Sequence, residues 1–318
     1  MRPSDKLGRI ATLTMNPAID ANTSVDQVVA ERKLRCRCPS HEPGGGGINV
    51  SRAIKRLGGS SMAIYPVGGF YGKMLESFLD REGLDHRPIT IEGITRENFI
   101  VYEGVSGRQF RFDAPGPTLH ESEWKRCLKE VSQLDPAPDY VVASGSLPPG
   151  VPRDFYLRVA RVTGEIGAKL IVDTSGEPLR LVSRAGVYLL KPNVRELGDL
   201  VGKPLRDESQ LEESAMAIVE GGYADIVVCS LGVGGALLFS EDGYEHIRSP
   251  TVPIKSKVGA GDSMVAGIAL FLAQGKPIRD AVRFGVAAGG AAVMTPGTEL
   301  CRREDTERLY NLMGSEFR

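Results

Sequence analysis

The chain has few of the features that mark secreted, membrane or nucleic-acid-binding proteins. Its five cysteines are odd in number and scattered, so we expect reduced thiols and no disulfide framework. No apolar run approaches 18 residues and the start lacks an apolar signal core, which predicts a cytoplasmic protein. Lysine and arginine number 39 against 40 acidic residues, and this net charge of −1 argues against nucleic acid or membrane partners. A small-molecule substrate is the default expectation.

Several catalytic devices are absent as well. The 4 histidines form no His-Glu-x-x-His cluster, so neither a histidine base nor a zinc site is expected. The Walker A pattern Gly-x-x-x-x-Gly-Lys-Ser/Thr does not occur, which excludes an ordinary P-loop. The dinucleotide fingerprint fails because its third glycine position is Met264.

The most informative stretch is a small-residue turn followed by a carboxylate and a helical apolar run. Gly259, Ala260 and Gly261 leave their backbone N–H groups open to a ligand, and a helix start adds unpaired donors. Asp262 falls at the N-cap or first helical position and faces the same space. An anion site beside a proton acceptor is what phosphoryl transfer to a hydroxyl requires. A helix cap after a glycine turn is the competing interpretation.

The order of apolar segments predicts an α/β fold. Strands with little alternation are separated by helical segments, which is typical of a parallel sheet covered on both faces. We expect one domain over residues 1–318, a three-layer αβα sandwich with a central, mostly parallel sheet. The predicted central strands are 9–14, 61–66, 140–143, 170–173, 187–190 and 226–229.

Alternating polar and apolar residues predict a second, smaller sheet. The segment 33–38 alternates basic and apolar residues, and 98–102 and 108–112 form a hairpin through Ser106-Gly107. We expect a β lid inserted from about 21–43 and 95–113, covering the site or forming a dimer surface. Its cations are Lys33, Arg35 and Arg96, for which a solvated strand edge is the ordinary interpretation.

Other motifs lie where ligands are expected. Asp20 follows the first strand, where it either accepts bonds from sugar hydroxyls or closes an Asx-turn. The run 44–47 is all glycine and leads into a helix with Asn49, which favours a ligand loop. Asn193 and Glu196 either face a hydrated cation together or cap a helix. The turn at 230–235 either lies against a nucleotide or joins a hairpin, and 281–294 reads as a buried helix.

The motifs in sequence order resemble the ribokinase-like (PfkB-type) sugar kinases over nearly the whole chain. Gly-Gly-x-x-Asn comes early, Asn-x-x-Glu in the middle and Gly-Ala-Gly-Asp late. The segments 16–20, 145–148, 230–232 and 258–264 look like the phosphosugar branch, and the all-glycine run is most similar to the minor 6-phosphofructokinases. This resemblance implies phosphorylation of the free primary hydroxyl of fructose 6-phosphate with ATP and Mg²⁺. Tagatose 6-phosphate, fructose 1-phosphate and a sensor without turnover remain alternatives.

The resemblance also implies residue roles. Asp262 would be the base, with the amides of Gly259, Ala260 and Gly261 as the anion hole. The sugar would be held by Asp20, Gly45, Gly46, Asn49 and Ser146, and its phosphate by Lys33, Arg35 and Arg96. Asn193 and Glu196 would order the magnesium shell through water. The nucleotide would be contacted by Lys191, Asn193, Ser230, Gly232, Gly235 and Lys257, and the lids would form a homodimer.

One position departs from the family pattern. Relatives usually carry Asp-Thr before the Gly-Ala-Gly-Asp core, and this chain has Ser256-Lys257. The change removes an expected ligand of a monovalent cation and adds a positive charge beside the phosphates. Potassium activation is therefore left open by the sequence.

Overall fold

The computed structural model describes residues 8–297 and 299–315. Two β-sheets form the framework of this part of the chain. The strands are β1 (Ile10–Leu13), β2 (Ala18–Val25), β3 (Ser40–Gly44), β4 (Met62–Val67), β5 (Asp85–Thr90), β6 (Arg96–Glu103), β7 (Gln109–Phe112), β8 (Tyr140–Ser144), β9 (Lys169–Asp173), β10 (Val187–Leu190), β11 (Ala224–Ser230), β12 (Ala236–Ser240) and β13 (Gly243–Ile247). The helices are α1 (Gly46–Arg56), α2 (Gly69–Arg81), α3 (Glu121–Ser132), α4 (Phe155–Glu165), α5 (Gly176–Val182), α6 (Val194–Val201), α7 (Glu208–Glu220), α8 (Ala260–Ala273), α9 (Ile278–Val293) and α10 (Arg303–Ser315).

The large sheet is mostly parallel, as predicted. Its nine strands lie in the order β13-β12-β11-β10-β9-β8-β1-β4-β5. The pairs from β11 through β5 are parallel, whereas the pairs β11–β12 and β12–β13 at one edge are antiparallel. Within the described residues, no helix is long and apolar enough to cross a bilayer.

Helices cover both faces of this sheet because its apolar residues alternate between two cores. Ile171 and Leu189 point to the layer containing α1, α8 and α9. Their neighbours Val172 and Leu190 point to the layer containing α3, α4 and α7. Since successive strand residues face opposite sides, continuous apolar strands produce the three-layer sandwich that the sequence predicted.

The small sheet has the order β3-β2-β6-β7 and stands beside α2. β2 and β6 pair in parallel, and β6 and β7 form the predicted hairpin. The prediction of a strand at 33–38 is wrong, because residues 31–39 form an exposed connection and β3 begins only at Ser40. Lys33 and Arg35 therefore lie on an exposed loop. The loop meets β2 near Arg37, whose amide donates to the carbonyl of Ser24 at 3.0 Å, but it does not form a strand there.

Asp20 also differs from its predicted setting. It lies inside β2, where it pairs in register with Asn98 and is buried, and it does not close a turn after β1. The chain leaves the large sheet at β1 and passes directly into the small sheet. This connection places the small sheet over the carboxyl ends of the parallel strands, where ligands of open α/β sheets bind.

Candidate active site

The first turn of α8 presents the small-residue segment to a cleft at the carboxyl ends of the strands. Gly259 is the N-cap with a φ of +76°, a left-handed conformation that favours glycine. Its carbonyl accepts the first helical hydrogen bond, from the amide of Ser263 at 2.8 Å. The preceding amides, from Ala260 to Asp262, are those that a helix leaves without an internal acceptor, and this makes the turn suitable for an anion.

Asp262 lies in that turn and meets the helix that follows the glycine run. Nδ2 of Asn49 donates to its Oδ2 at 2.9 Å, across 213 residues of sequence. Burial and, to a smaller extent, the charge of Asp173 raise the pKa of Asp262 from 3.8 to about 6, against the opposing effects of Asn49, Lys191 and Arg111. A carboxylate with this pKa is ionised at neutral pH and is close to the optimum for accepting a proton.

A buried lysine lies beneath this turn and pairs with a carboxylate from the neighbouring strand. Nζ of Lys191 lies 3.1 Å from Oδ1 of Asp173. Burial alone would lower the pKa of Lys191, but the charges of Asp173, Glu196 and Asp262 outweigh burial and raise it. The carboxylates whose charges act on this ammonium outnumber it, so the region around Lys191 carries an excess of negative charge.

The glycine run packs so closely that side chains are excluded from it. A Cβ on Gly47 would lie 2.6 Å from Oγ1 of Thr14, and one on Gly45 would lie 2.8 Å from Cγ2 of the same residue. A Cβ on Gly46 would lie 2.9 Å from the amide of Gly145. The run therefore brings the start of α1 against the strand ends and directs Asn49 at Asp262.

The small sheet forms the roof. Nδ2 of Asn98 donates to Oδ1 of Asp20 at 2.9 Å. Burial raises the pKa of Asp20, while Asn98 and the charges of Arg111 and Arg96 act in the opposite direction. The roof thus carries a buried carboxylate with arginines beside it.

Arg96 occupies a defined pocket and is not a solvated edge. Its guanidinium donates to the carbonyls of Ala114 at 2.6 Å and Asn16 at 2.9 Å. It lines a cavity of about 730 Å³ together with Ser146. The structure brings Arg96 and Ser146 together, whereas Lys33 and Arg35 are exposed on the 31–39 loop.

Asn193 and Glu196 form a reciprocal helix cap. The amide of Glu196 donates to Oδ1 of Asn193, and the amide of Asn193 donates to Oε2 of Glu196, both at 2.9 Å. Within the described residues, no group of three or more His, Cys, Asp or Glu side chains has the arrangement of a metal site. The carboxylate of Glu196 also contributes negative charge near Lys191. Carboxylate and amide oxygens are ligands of the kind that a hydrated cation can contact through water.

A cavity of about 340 Å³ opens beside the first turn of α8. Its walls are the turn at 230–235, one face of α9 and the segment ending at Lys257. That turn joins antiparallel β11 and β12, which confirms the hairpin interpretation, while contact with a nucleotide stays a prediction. α9 is largely buried, as predicted, but Gly289 and Gly290 lie on the cavity wall. The volume suits a small organic ligand adjoining the anion site.

The segment before Gly259 is tied to the loop beyond α9. Oγ of Ser256 donates to the carbonyl of Gly297 at 2.7 Å and accepts from the amide of Val258 at 3.2 Å. Ser256 thus uses its hydroxyl in internal bonds at the position where the sequence resemblance leads us to expect an aspartate. Lys257 is exposed at the cavity rim.

Sequence reasoning missed two charged residues at this site. Asp173 is the last residue of β9, at the carboxyl ends of the parallel strands. An aspartate that ends a predicted strand is the same sequence signal that singled out Asp20, so Asp173 could have been found in the same way. Arg111 lies on β7 opposite Ile100, and its charge lowers the pKa of both Asp20 and Asp262. Only the hairpin register reveals that Arg111 faces the cleft.

The fold and site define a carbohydrate kinase. The chain matches the pfkB family of carbohydrate kinases over residues 13–305 and belongs to that family. This confirms the resemblance that its motifs indicated.

The similar proteins include phosphofructokinases. The chain is 46% identical over 304 residues to the ATP-dependent 6-phosphofructokinase isozyme 2 of Mycobacterium tuberculosis, covering 96% of this chain and 89% of the relative. Phosphofructokinase-2 from Escherichia coli in complex with potassium superposes with a TM-score of 0.93 at 41% identity, covering 96% and 99% of the two chains. Its tetrameric inhibited form gives a TM-score of 0.91 at 40% identity, with the same coverage.

Proposed function

We propose that this kinase transfers the terminal phosphoryl group of ATP to the free primary hydroxyl of fructose 6-phosphate, giving fructose 1,6-bisphosphate and ADP. The observation that carries the proposal is Asp262, with a pKa of about 6, placed by Asn49 in the open first turn of α8. The names of the relatives support the choice of substrate.

In the reaction, Asp262 accepts the hydroxyl proton as the sugar oxygen bonds to the transferred phosphorus atom. The bond from that phosphorus to the bridging oxygen breaks, and ADP leaves. The amides from Ala260 to Asp262 stabilise the charge on the moving group, and Lys191 stabilises the phosphates from below the turn. Mg²⁺, when bound with the nucleotide, neutralises phosphate charge, and Asn193 and Glu196 would reach it through water.

The sugar would lie between the glycine run and the roof, where Asp20 and Asn49 bind its hydroxyls. Its existing phosphate would be bound by Arg96 and Ser146, with Lys33 and Arg35 contributing from the 31–39 loop or from a second protomer. The nucleotide would occupy the 340 Å³ cavity, contacting Gly232, Gly235 and Lys257. The homodimer would form through the small sheets, whose hairpin exposes the cross-strand pair Phe99 and Phe112.

The deciding experiment is an ADP-release assay on purified protein with fructose 6-phosphate, tagatose 6-phosphate, fructose 1-phosphate and unphosphorylated fructose. The proposal predicts the highest kcat/KM for fructose 6-phosphate. A preference for another sugar phosphate assigns that substrate instead. No turnover with any of them overturns the proposal in favour of a sensor. Parallel reactions in potassium and choline salts test whether the Ser256-Lys257 segment retains a response to potassium.

A further inference from the structure

The two faces of β6 contact different parts of the molecule. Successive strand residues point to opposite faces, so Arg96 and Asn98 share one face and Glu97, between them, takes the other. Asn98 bonds to Asp20 on the cleft side. Glu97 is directed instead at α2, which packs against the other side of the small sheet.

Glu97 is held there by groups from two different elements. The hydroxyl of Tyr71, on α2, donates to Oε2 of Glu97 at 2.6 Å. Nε2 of His41, on β3, lies 3.4 Å from Oε1. Glu97 pairs in register with Ile19, whose side chain is fully buried in the cluster that includes residues of α2. The carboxylate is 15% exposed, so water competes little for these contacts.

The start of β6 has a second tie to the same helix. The amide of Thr95 donates to the carbonyl of Gly68 at 2.9 Å, and Oγ1 of Thr95 accepts from the amide of Gly68 at 3.1 Å. Gly68 is the N-cap of α2. Arg96 is therefore flanked on both sides by residues that are bound to α2, while its own guanidinium faces the cleft.

We propose that Glu97, clamped by Tyr71 and His41, is a positioning residue that fixes β6 against α2 and thereby sets the position of Arg96 for the phosphate of the sugar. The inference rests on the proposed function. Glu97 does not touch substrate. It acts through the backbone, because a shift of β6 moves Arg96 and Asn98 together.

The clamp, meaning the contacts of Glu97 with Tyr71 and His41, should affect the binding of the sugar phosphate and not that of the nucleotide. β6 belongs to the roof over the sugar, whereas the nucleotide cavity is built from α8, α9 and the turn at 230–235. Loosening β6 should therefore weaken sugar-phosphate binding and leave the nucleotide unaffected. A displacement of about 1 Å at a substrate-positioning group is enough to change kinetic constants tenfold or more.

The test uses three variants and a matched control in the full-length protein. Tyr71→Phe removes the donor, Glu97→Ala removes both contacts, and Glu97→Gln keeps an acceptor for Tyr71 while removing the charge near His41. The control is Tyr244→Phe on β13, which removes a comparable bond from tyrosine to Glu212 at the far edge of the large sheet.

Two measurements separate this inference from the proposed function. Amide hydrogen exchange of ligand-free protein should accelerate in residues 96–103 for Tyr71→Phe and Glu97→Ala, but not for Glu97→Gln or the control. The KM for fructose 6-phosphate should rise roughly tenfold in the first two variants. Glu97→Gln should recover most of this loss, and the KM for ATP should stay within twofold.

Unchanged exchange in residues 96–103 overturns the clamp, even if the wild-type protein proves to act on another sugar. Equal rises in the two KM values also overturn it, since they indicate a general loss of structure. Failure of the proposed function appears separately, as absent turnover of fructose 6-phosphate by the wild-type protein.

Discussion

Replacing Asp262 with Asn tests the chemistry with little change in shape. The substitution is isosteric, and the side-chain oxygen of the new residue can still accept the bond that Asn49 donates at 2.9 Å. What is lost is the ability to take a proton. General base catalysis contributes roughly 10²- to 10⁴-fold, so we expect kcat to fall by that factor while the KM for ATP changes little.

The same substitution should make the protein more stable above about pH 6. The folded chain binds a proton at Asp262 below about pH 6, whereas the unfolded chain does so only below about 3.8. The ionised carboxylate therefore reduces the free energy of unfolding above pH 6 and has no effect below 3.8. At 1.36 kcal/mol per pKa unit, the free energy of unfolding would increase by at most about 3 kcal/mol. Because the side chain is only partly buried and solvent screens its charge, we expect an increase of about 1 kcal/mol.

ADP release under saturating substrates measures the first effect, and urea unfolding at pH 7.5 and pH 4 measures the second. The stabilisation should be present at pH 7.5 and largely absent at pH 4. A variant that keeps more than a tenth of the wild-type kcat would remove Asp262 from the base role. If the variant is less stable than wild type at pH 7.5, burial does not destabilise the ionised carboxylate in the folded protein.

Three further substitutions address the other parts of the site. Arg96→Ala should raise the KM for fructose 6-phosphate by roughly 10- to 100-fold, because hydrogen bonds to charged groups contribute about 1.5–3 kcal/mol. The KM for ATP should change less than twofold. Initial rates measured while each substrate is varied in turn test both expectations. Lys191→Met removes a charge that lowers the pKa of Asp262, so the acid limb of the pH profile of kcat should move to higher pH; an unmoved limb contradicts the electrostatic account. Gly289→Ala places a Cβ 3.2 Å from the carbonyl of Ala260, so the KM for ATP should rise several-fold, whereas Gly164→Ala, with open space around its Cβ, should leave it unchanged.

Part of the site could be predicted because its information is local. Glycines that approach backbone, a carboxylate at a helix start and the spacing Asn-x-x-Glu are recognisable within a few residues. The cap formed by Asn193 and Glu196 and the first turn of α8 lie where these patterns indicated. Local patterns also misled: the alternation at 33–38 is typical of a strand, but the segment is an exposed loop that meets β2 only near Arg37.

By itself, the sequence determined the layered α/β architecture, since strands that are apolar on both faces must be covered twice. It also determined the chemistry of the first turn of α8. Only the tertiary structure decided what surrounds that chemistry. Asn49 meets Asp262 across 213 residues, and Asp173 and Lys191 meet at the ends of separate strands. The pKa of Asp262 depends on burial and on charges from other elements, and these are fixed only when the chain folds.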